Sequence, residues 1–265
     1  MDTEARNLPD SQPGRPLAVI SGGSRGLGFE VARGLAAQGF NLVLIAKDKD
    51  RLEQAQSSLI AEFGSNQKSD FKVLLYPVDL EDQSATRIAM KSLISEIETP
   101  KVLVLAHGVM SEKMSKTLRT TDEEWRRVLS INLDSVFTIV NTLVPAMADA
   151  REGRVIIFSA CLGRMSGPGN AGGLAPYRIS KAGVNAFVRN FAHETGLGGR
   201  GLLVDAICPN HSRTDMGGAD APRSAEEGAE TAVWLATRTF DIADKDDVTK
   251  SATGVLWEDH QIVPW

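Results

Sequence analysis

The 265-residue chain is poor in several things, and each shortage removes a class of function. Only two cysteines occur, Cys161 and Cys208, and their separation matches neither a disulfide framework nor a metal motif. No metal site is therefore expected, and a reducing, cytoplasmic setting is. Basic residues are outnumbered, 29 Lys and Arg against 34 Asp and Glu, for a formal net charge of −5. Without an excess of cations to neutralise phosphates, general nucleic-acid binding is excluded. Apolar runs are short, and none approaches the ~18 residues of a membrane helix. Residues 1–15 lack the basic and apolar regions of a signal peptide. They are polar, carry Pro9, Pro13 and Gly14, and read as a flexible tail. Repeats, long linkers and low-complexity blocks are missing too, so residues 16–265 read as one domain large enough for a sizeable core.

What is present starts with residues 18–28, A-V-I-S-G-G-S-R-G-L-G. An apolar run stops at small residues, and a helical pattern begins with Phe29, Val31, Ala32, Leu35 and Ala36. Strand, glycine turn and helix in that order make a phosphate cradle. Glycine permits close backbone approach, and the helix start offers unpaired N–H groups at its positive dipole end. The candidate cofactor residues here are Gly22, Ser24, Arg25, Gly26, Leu27 and Gly28. A tight turn without a ligand is the alternative.

Further along, continuously apolar segments alternate with helical ones. Strands are expected at residues 41–46, 71–77, 102–106, 155–159, 203–207 and 255–257. Helices are expected at 50–63, 82–98 and 177–195. Capping boxes at Thr121–Glu124 and Ser224–Glu227 open two more, the first with a bend expected near Pro145. The pattern predicts an α/β Rossmann fold, a doubly wound parallel sheet of about seven strands with helices on both faces. Ligands belong at the carboxyl ends of its strands.

Two stretches carry chemistry. Tyr177 and Lys181 stand one helical turn apart, so an ammonium is expected beside a phenol and should lower its pKa. Such a phenol can exchange a proton with an alkoxide. At the end of the second strand, where a carboxylate would bind a ribose 2′-hydroxyl, stands Ala46 followed by Lys47. Arg25 and Lys47, with no carboxylate there, favour NADPH over NADH, although both could be solvated surface charges.

The glycine spacing G-x-x-x-G-x-G together with Tyr177-x-x-x-Lys181 resembles the short-chain dehydrogenase/reductase family, in its carbonyl-reductase-like branch. That resemblance covers about residues 16–265. It implies that Tyr177 is the acid/base, that Lys181 also holds the nicotinamide ribose, and that Asn132 supports a water-mediated proton relay. It further implies that Asp79 and Leu80 contact adenine, that Gly108 ends the strand beside the cofactor, and that Pro209 begins the loop beside the nicotinamide. Asp79 could equally cap a helix. Substrate selectivity should reside in residues 110–120, 162–175 and 212–223. The family usually forms symmetric dimers or tetramers, and Ala182, Gly183 and Ala186 give the Tyr177 helix a small-residue face suited to close packing.

Three departures stand out. The family's catalytic serine falls on Ala160, with Ser159 one position earlier and Ser166 in the loop beyond as candidate substitutes. Strand alternation should turn Ser159 away from substrate. The family's N-N-A-G is Leu105-Ala106-His107-Gly108, where His107 is read as a filler of polar space. Asn210 replaces the usual glycine after Pro209. The resemblance implies an NADPH-dependent reductase of a small-molecule ketone or aldehyde, or the reverse alcohol oxidation. Reduction of an imine or activated C=C bond is the alternative within enzymes. A catalytically silent dinucleotide-binding sensor or assembly protein is the alternative outside them.

Overall fold

The computed structural model describes residues 14–64, 70–112, 116–167, 172–244 and 246–265. Strands Leu17–Ser21 (β1), Asn41–Ala46 (β2), Val73–Pro77 (β3), Val102–Leu105 (β4), Gly153–Phe158 (β5), Leu202–Ile207 (β6), Leu256–Glu258 (β7) and Gln261–Val263 (β8) form one sheet. Their order is β3-β2-β1-β4-β5-β6-β7-β8. All pairings are parallel except the last. The helices are Gly26–Ala37 (α1), Lys49–Phe63 (α2), Gln83–Glu96 (α3), Asp122–Leu129 (α4), Ser135–Asp149 (α5), Ala175–Glu194 (α6), Ala225–Thr237 (α7) and Val248–Ser251 (α8).

Every residue of β1 is buried, because both sheet faces are covered. Side-chain alternation sends Leu17 and Val19 into a core shared with α3, α5 and α6. Ala18 and Ile20 enter a second core shared with α1, α2 and α7. The sheet order reverses between β1 and β4, and the crevice outside their carboxyl ends is where such folds bind ligands.

Several expectations need correction. The sheet has eight strands rather than about seven: β8 turns back along β7 through Asp259 and His260, both with positive φ (48° and 61°). The irregularity in the long helix lies at Ser130–Asp134, a π-helical turn between α4 and α5, while Pro145 sits inside α5. The continuous helix Asp122–Asp149 is long and apolar enough to cross a membrane by composition, but half of its most apolar stretch is buried inside the protein. Ser224 and Glu227 form the expected reciprocal box. Thr121 makes only its half, since the Glu124 carboxylate instead accepts from the Glu112 amide and pairs with Arg127. Residues 1–13 of the expected tail lie outside the described residues. Arg15, counted with that tail, ion-pairs with Asp70 at 3.2 Å and lies over the Phe71 ring.

Candidate active site

β1 ends at Ser21 and hands over to the glycine turn, whose Gly22 amide is held by Ile45 O at 2.7 Å. A Cβ at Gly22, where φ is +72°, would meet His107 N at 2.8 Å. One at Gly28 would lie 2.2 Å from Gly22 O. Only glycine lets α1 start this close to the strand. No side chain caps the α1 start and its first turn holds no acid, so its first amides remain available to an anion.

The turn forms one wall of a cleft of about 880 Å³. Of the expected cofactor residues, Gly22, Ser24, Arg25, Gly26, Leu27, Lys47, Asp79, Leu80 and Gly108 line it. Gly28 lies behind the turn, and Pro209 follows β6 away from the lining. Lys47 pairs with Asp79 at 2.6 Å, and that contact holds the Asp79 carboxyl below the usual range. Asp79 caps no helix: it accepts from the Glu81 amide, and Asp82 caps α3. Arg25 pairs with Asp215, which also faces Arg51 at 3.6 Å. Arg51 carried no local sequence signal, and Asp215 was expected only as part of the selectivity segment 212–223. The cradle, the uncapped helix start and the cleft's size fit a dinucleotide.

Beyond Gly108 the site becomes buried. Tyr177, Lys181 and Asn132 are 6%, 4% and 1% exposed. Lys181 Nζ donates to Phe158 O at 2.8 Å and lies 5.9 Å from the Tyr177 ring centre. A Cβ added at Gly108 would lie 3.4 Å from both Lys181 Nζ and Asn132 Oδ1, so these groups form the floor behind that glycine. Asn132, on the π turn, donates to Val109 O and Ser180 Oγ and accepts from Val109 N. The expected lowering of the Tyr177 pKa is not found. Burial pushes the phenol well above its usual value, and the same burial lowers Lys181 to about 8.

Ala160 faces Tyr177 in a small apolar cluster with Val128, bordered by Val109, Met110, Leu162 and Leu174. Ser159 points away, donating to Asn185 Oδ1 at 2.5 Å, and the exposed Ser166 donates to Trp265 O. Neither hydroxyl reaches Tyr177. Ser111, which sequence reasoning missed, accepts from the Tyr177 amide at 3.0 Å. It supplies α6 with the cap that Leu174, at the N-cap, cannot.

His107 is neutral, its pKa lowered to about 3 by burial and the nearby Lys181 charge. Ser135 Oγ donates to Ile131 O and so accepts from His107 Nε2–H at 2.7 Å. Nδ1 then accepts from Ser21 Oγ at 2.5 Å. His107 therefore braces β1 to the start of α5. The two cysteines, far apart in sequence, interact with each other beside this floor and remain free thiols. Asn210 adopts φ +57°, the left-handed conformation expected for a residue standing where glycine is usual.

Residues 16–225 match the profile of the short chain dehydrogenase family. The chain belongs to that family. It is accordingly an oxidoreductase of the NAD(P)-dependent short-chain type. The 3-oxoacyl-(acyl-carrier-protein) reductase FabG of Escherichia coli K12 is 29% identical over 200 residues, 76% of this chain and 75% of that protein. Among solved structures, a short chain dehydrogenase of Shigella flexneri 2a strain 301 complexed with NADP aligns with a TM-score of 0.75 at 18% identity. That alignment covers 92% of this chain and 96% of the other. A blue fluorescent protein from a metagenomic library, in complex with NADPH, aligns at 0.74 with 21% identity, covering 92% and 95%. The structural likenesses show the short-chain fold.

Proposed function

We propose that this short-chain enzyme reduces a ketone or aldehyde at the expense of NADPH. The observation that carries the reading is the Tyr177–Lys181 pair, buried directly behind Gly108 where the cleft meets the apolar cluster around Ala160. The name of the FabG relative, a 3-oxoacyl reductase, supports a carbonyl substrate, and the solved relatives with NADP and NADPH support the cofactor.

NADPH, when bound, supplies hydride from its nicotinamide C4. Amides at the start of α1 and the glycine turn would hold the pyrophosphate, Arg25 and Lys47 the 2′-phosphate, and Asp79 and Leu80 would border the adenine. Lys181 would hold the nicotinamide ribose, and Asn132, which fixes Val109 and Ser180 of α6, would support a water-mediated proton path to solvent. Tyr177 Oη gives its proton to the developing alkoxide. Burial keeps that phenol protonated, which is the form reduction needs. An alkoxide is a stronger base than a phenolate, so the transfer runs downhill even from a reluctant phenol. Alcohol oxidation would need the phenolate, which burial disfavours.

Because Ala160 offers no hydroxyl to a carbonyl oxygen, imine or activated C=C reduction stands as the second reading. A shallow apolar groove between α5 and α6, lined by Phe137, Val140, Phe187 and Phe191, supports assembly as a homo-oligomer. Gly183 packs internally on Leu133, so that part of the small-residue face serves the protomer. The test is NADPH oxidation against a panel of ketones, aldehydes, imines and enones, with Tyr177→Phe beside the parent protein. Turnover should fall about 10²–10⁴-fold in the variant while NADPH affinity changes little. Unchanged turnover in Tyr177→Phe would end the proposed mechanism, and activity confined to imines or enones would transfer it to the second reading.

A further inference from the structure

Carboxylates crowd the cations of the cleft: Arg25, Lys47, Arg51 and Arg213 share its lining with Asp48, Asp79 and Asp215. A 2′-phosphate bound there must compete with at least one carboxylate, and the three are not equally free to yield. Asp48 is fixed by its own helix: it caps α2 by accepting from the Arg51 amide at 3.1 Å and also faces Arg51 Nε at 3.3 Å. Asp79 is fixed by its turn, accepting from the Glu81 amide at 3.1 Å besides holding Lys47.

Asp215 differs. Among the described residues its carboxylate contacts only the two guanidinium groups, Arg25 from the glycine turn and Arg51 from α2. It arrives on the loop after β6, whose Thr214 packs against the glycine turn, 3.2 Å from where a Cβ on Gly26 would stand. Its side chain is 69% exposed, so nothing but charge holds it. From this geometry we infer that Asp215 is a specificity-determining residue, an internal carboxylate that occupies the Arg25–Arg51 pair in competition with the cofactor's 2′-phosphate.

The inference rests on the NADPH reading and deepens it. Arg51, absent from the expected cofactor residues, becomes a phosphate ligand together with Arg25. A guanidinium pair suits a phosphate better than a single carboxylate, because the dianion offers more acceptor oxygens to forked donors. Displacement of Asp215 breaks the ionic tie between this loop and the glycine turn while the Thr214 packing stays in place, on the segment that should also carry substrate selectivity. NADPH then acts on that loop in a way that NADH, lacking the phosphate, does not.

The experiment measures dissociation constants of NADPH, NADH, 2′-AMP and 5′-AMP for the parent protein, Asp215→Asn, Arg51→Ala and the double variant. The two mononucleotides report on the phosphate site without any reaction. Asp215→Asn should tighten NADPH and 2′-AMP about three- to tenfold, leave NADH and 5′-AMP within twofold, and lose that gain when Arg51 is also replaced. NADPH and 2′-AMP affinities that stay unchanged or weaken in Asp215→Asn would overturn the inference. So would a gain shared equally by NADH and 5′-AMP. Equal NADPH and NADH affinity in the parent protein would instead remove the NADPH preference. In that case a selective gain in Asp215→Asn still upholds the competition, and the absence of a gain removes both.

Discussion

At Lys181, burial strips away the water that keeps an ammonium charged, and its pKa falls from 10.5 to about 8. Below pH ~8 the charged form can attract an anionic cofactor; above it that attraction fades. NADPH affinity, followed by fluorescence titration from pH 6.5 to 9.5, should therefore weaken above pH 8, and Lys181→Met should flatten the curve. Stability moves the opposite way. The unfolded chain binds the extra proton between pH 8 and 10.5, so the native state gains stability as pH rises through that window. A few residues away, Ala160 tests the missing polarising group. A hydroxyl there would face Tyr177, and one such donor is commonly worth about 10²–10³ in rate. Ala160→Ser should raise turnover on a simple activated ketone tenfold or more with NADPH affinity unchanged, and Ser159→Ala should be nearly silent in activity. Steady-state kinetics on both variants decides it; a dead Ser159→Ala would assign the donor to Ser159 instead.

Among the elements, α7 shows how directly a local pattern can act. Ser224 and Glu227 satisfy each other's backbone amides, and the helix they start lays Ala229, Ala232 and Leu235 into the core shared with α1. Ser224→Ala should cost about 1 kcal/mol, read in denaturant unfolding as a lower midpoint at constant slope. Elements of this kind were legible beforehand: β2 spans the six residues expected, Asn41–Ala46, and the glycine turn was readable because its parts are adjacent in sequence. Others were hidden for physical reasons. β8 follows a two-residue turn whose left-handed residues are Asp259 and His260, without the glycine that usually marks such turns. The π turn leaves no trace because Ser130–Asp134 continues the apolar period of its neighbours. Arg51 escaped notice, and the contacts of Asp215 and Ser111, which lie in segments expected to carry selectivity, could not be read, because each reaches the site through tertiary packing. The same is true of the sign of the Tyr177 shift: spacing set the lysine beside it, but the surrounding apolar cluster decides the pKa.

Across the whole molecule, the far side of the sheet is joined by one buried polar knot. Asp205 on β6 accepts from Trp257 Nε1 on β7 at 3.0 Å, from Thr253 Oγ1, and from Arg238 just beyond α7. The Arg238 guanidinium lies between the rings of Trp234, Trp257 and Phe240 and donates to the carbonyl of Ala252 at 2.6 Å. Both members of the ion pair are 3% exposed. Removing one leaves a buried charge unpaired, which typically costs about 3–5 kcal/mol. Arg238→Leu should lose stability on that scale in denaturant melts, and Asp205→Asn added to it should restore part of the loss. A fully additive double variant would contradict the coupling.

The Ser111 cap has a consequence for how α6 opens. The amide of Tyr177 is held by a hydroxyl 66 residues earlier, and the amide of Val109, two residues before that hydroxyl, is held by Asn132. Neither amide can reach solvent deuterium unless residues 109–111 lift from the molecule. Tyr177 and Val109 should therefore exchange as one cooperative unit, at a common rate slower than the outer turns of α6. Ser111→Ala should uncouple them, speeding Tyr177 alone. Tyr177 would then owe its immobility less to its own helix than to a short segment following β4.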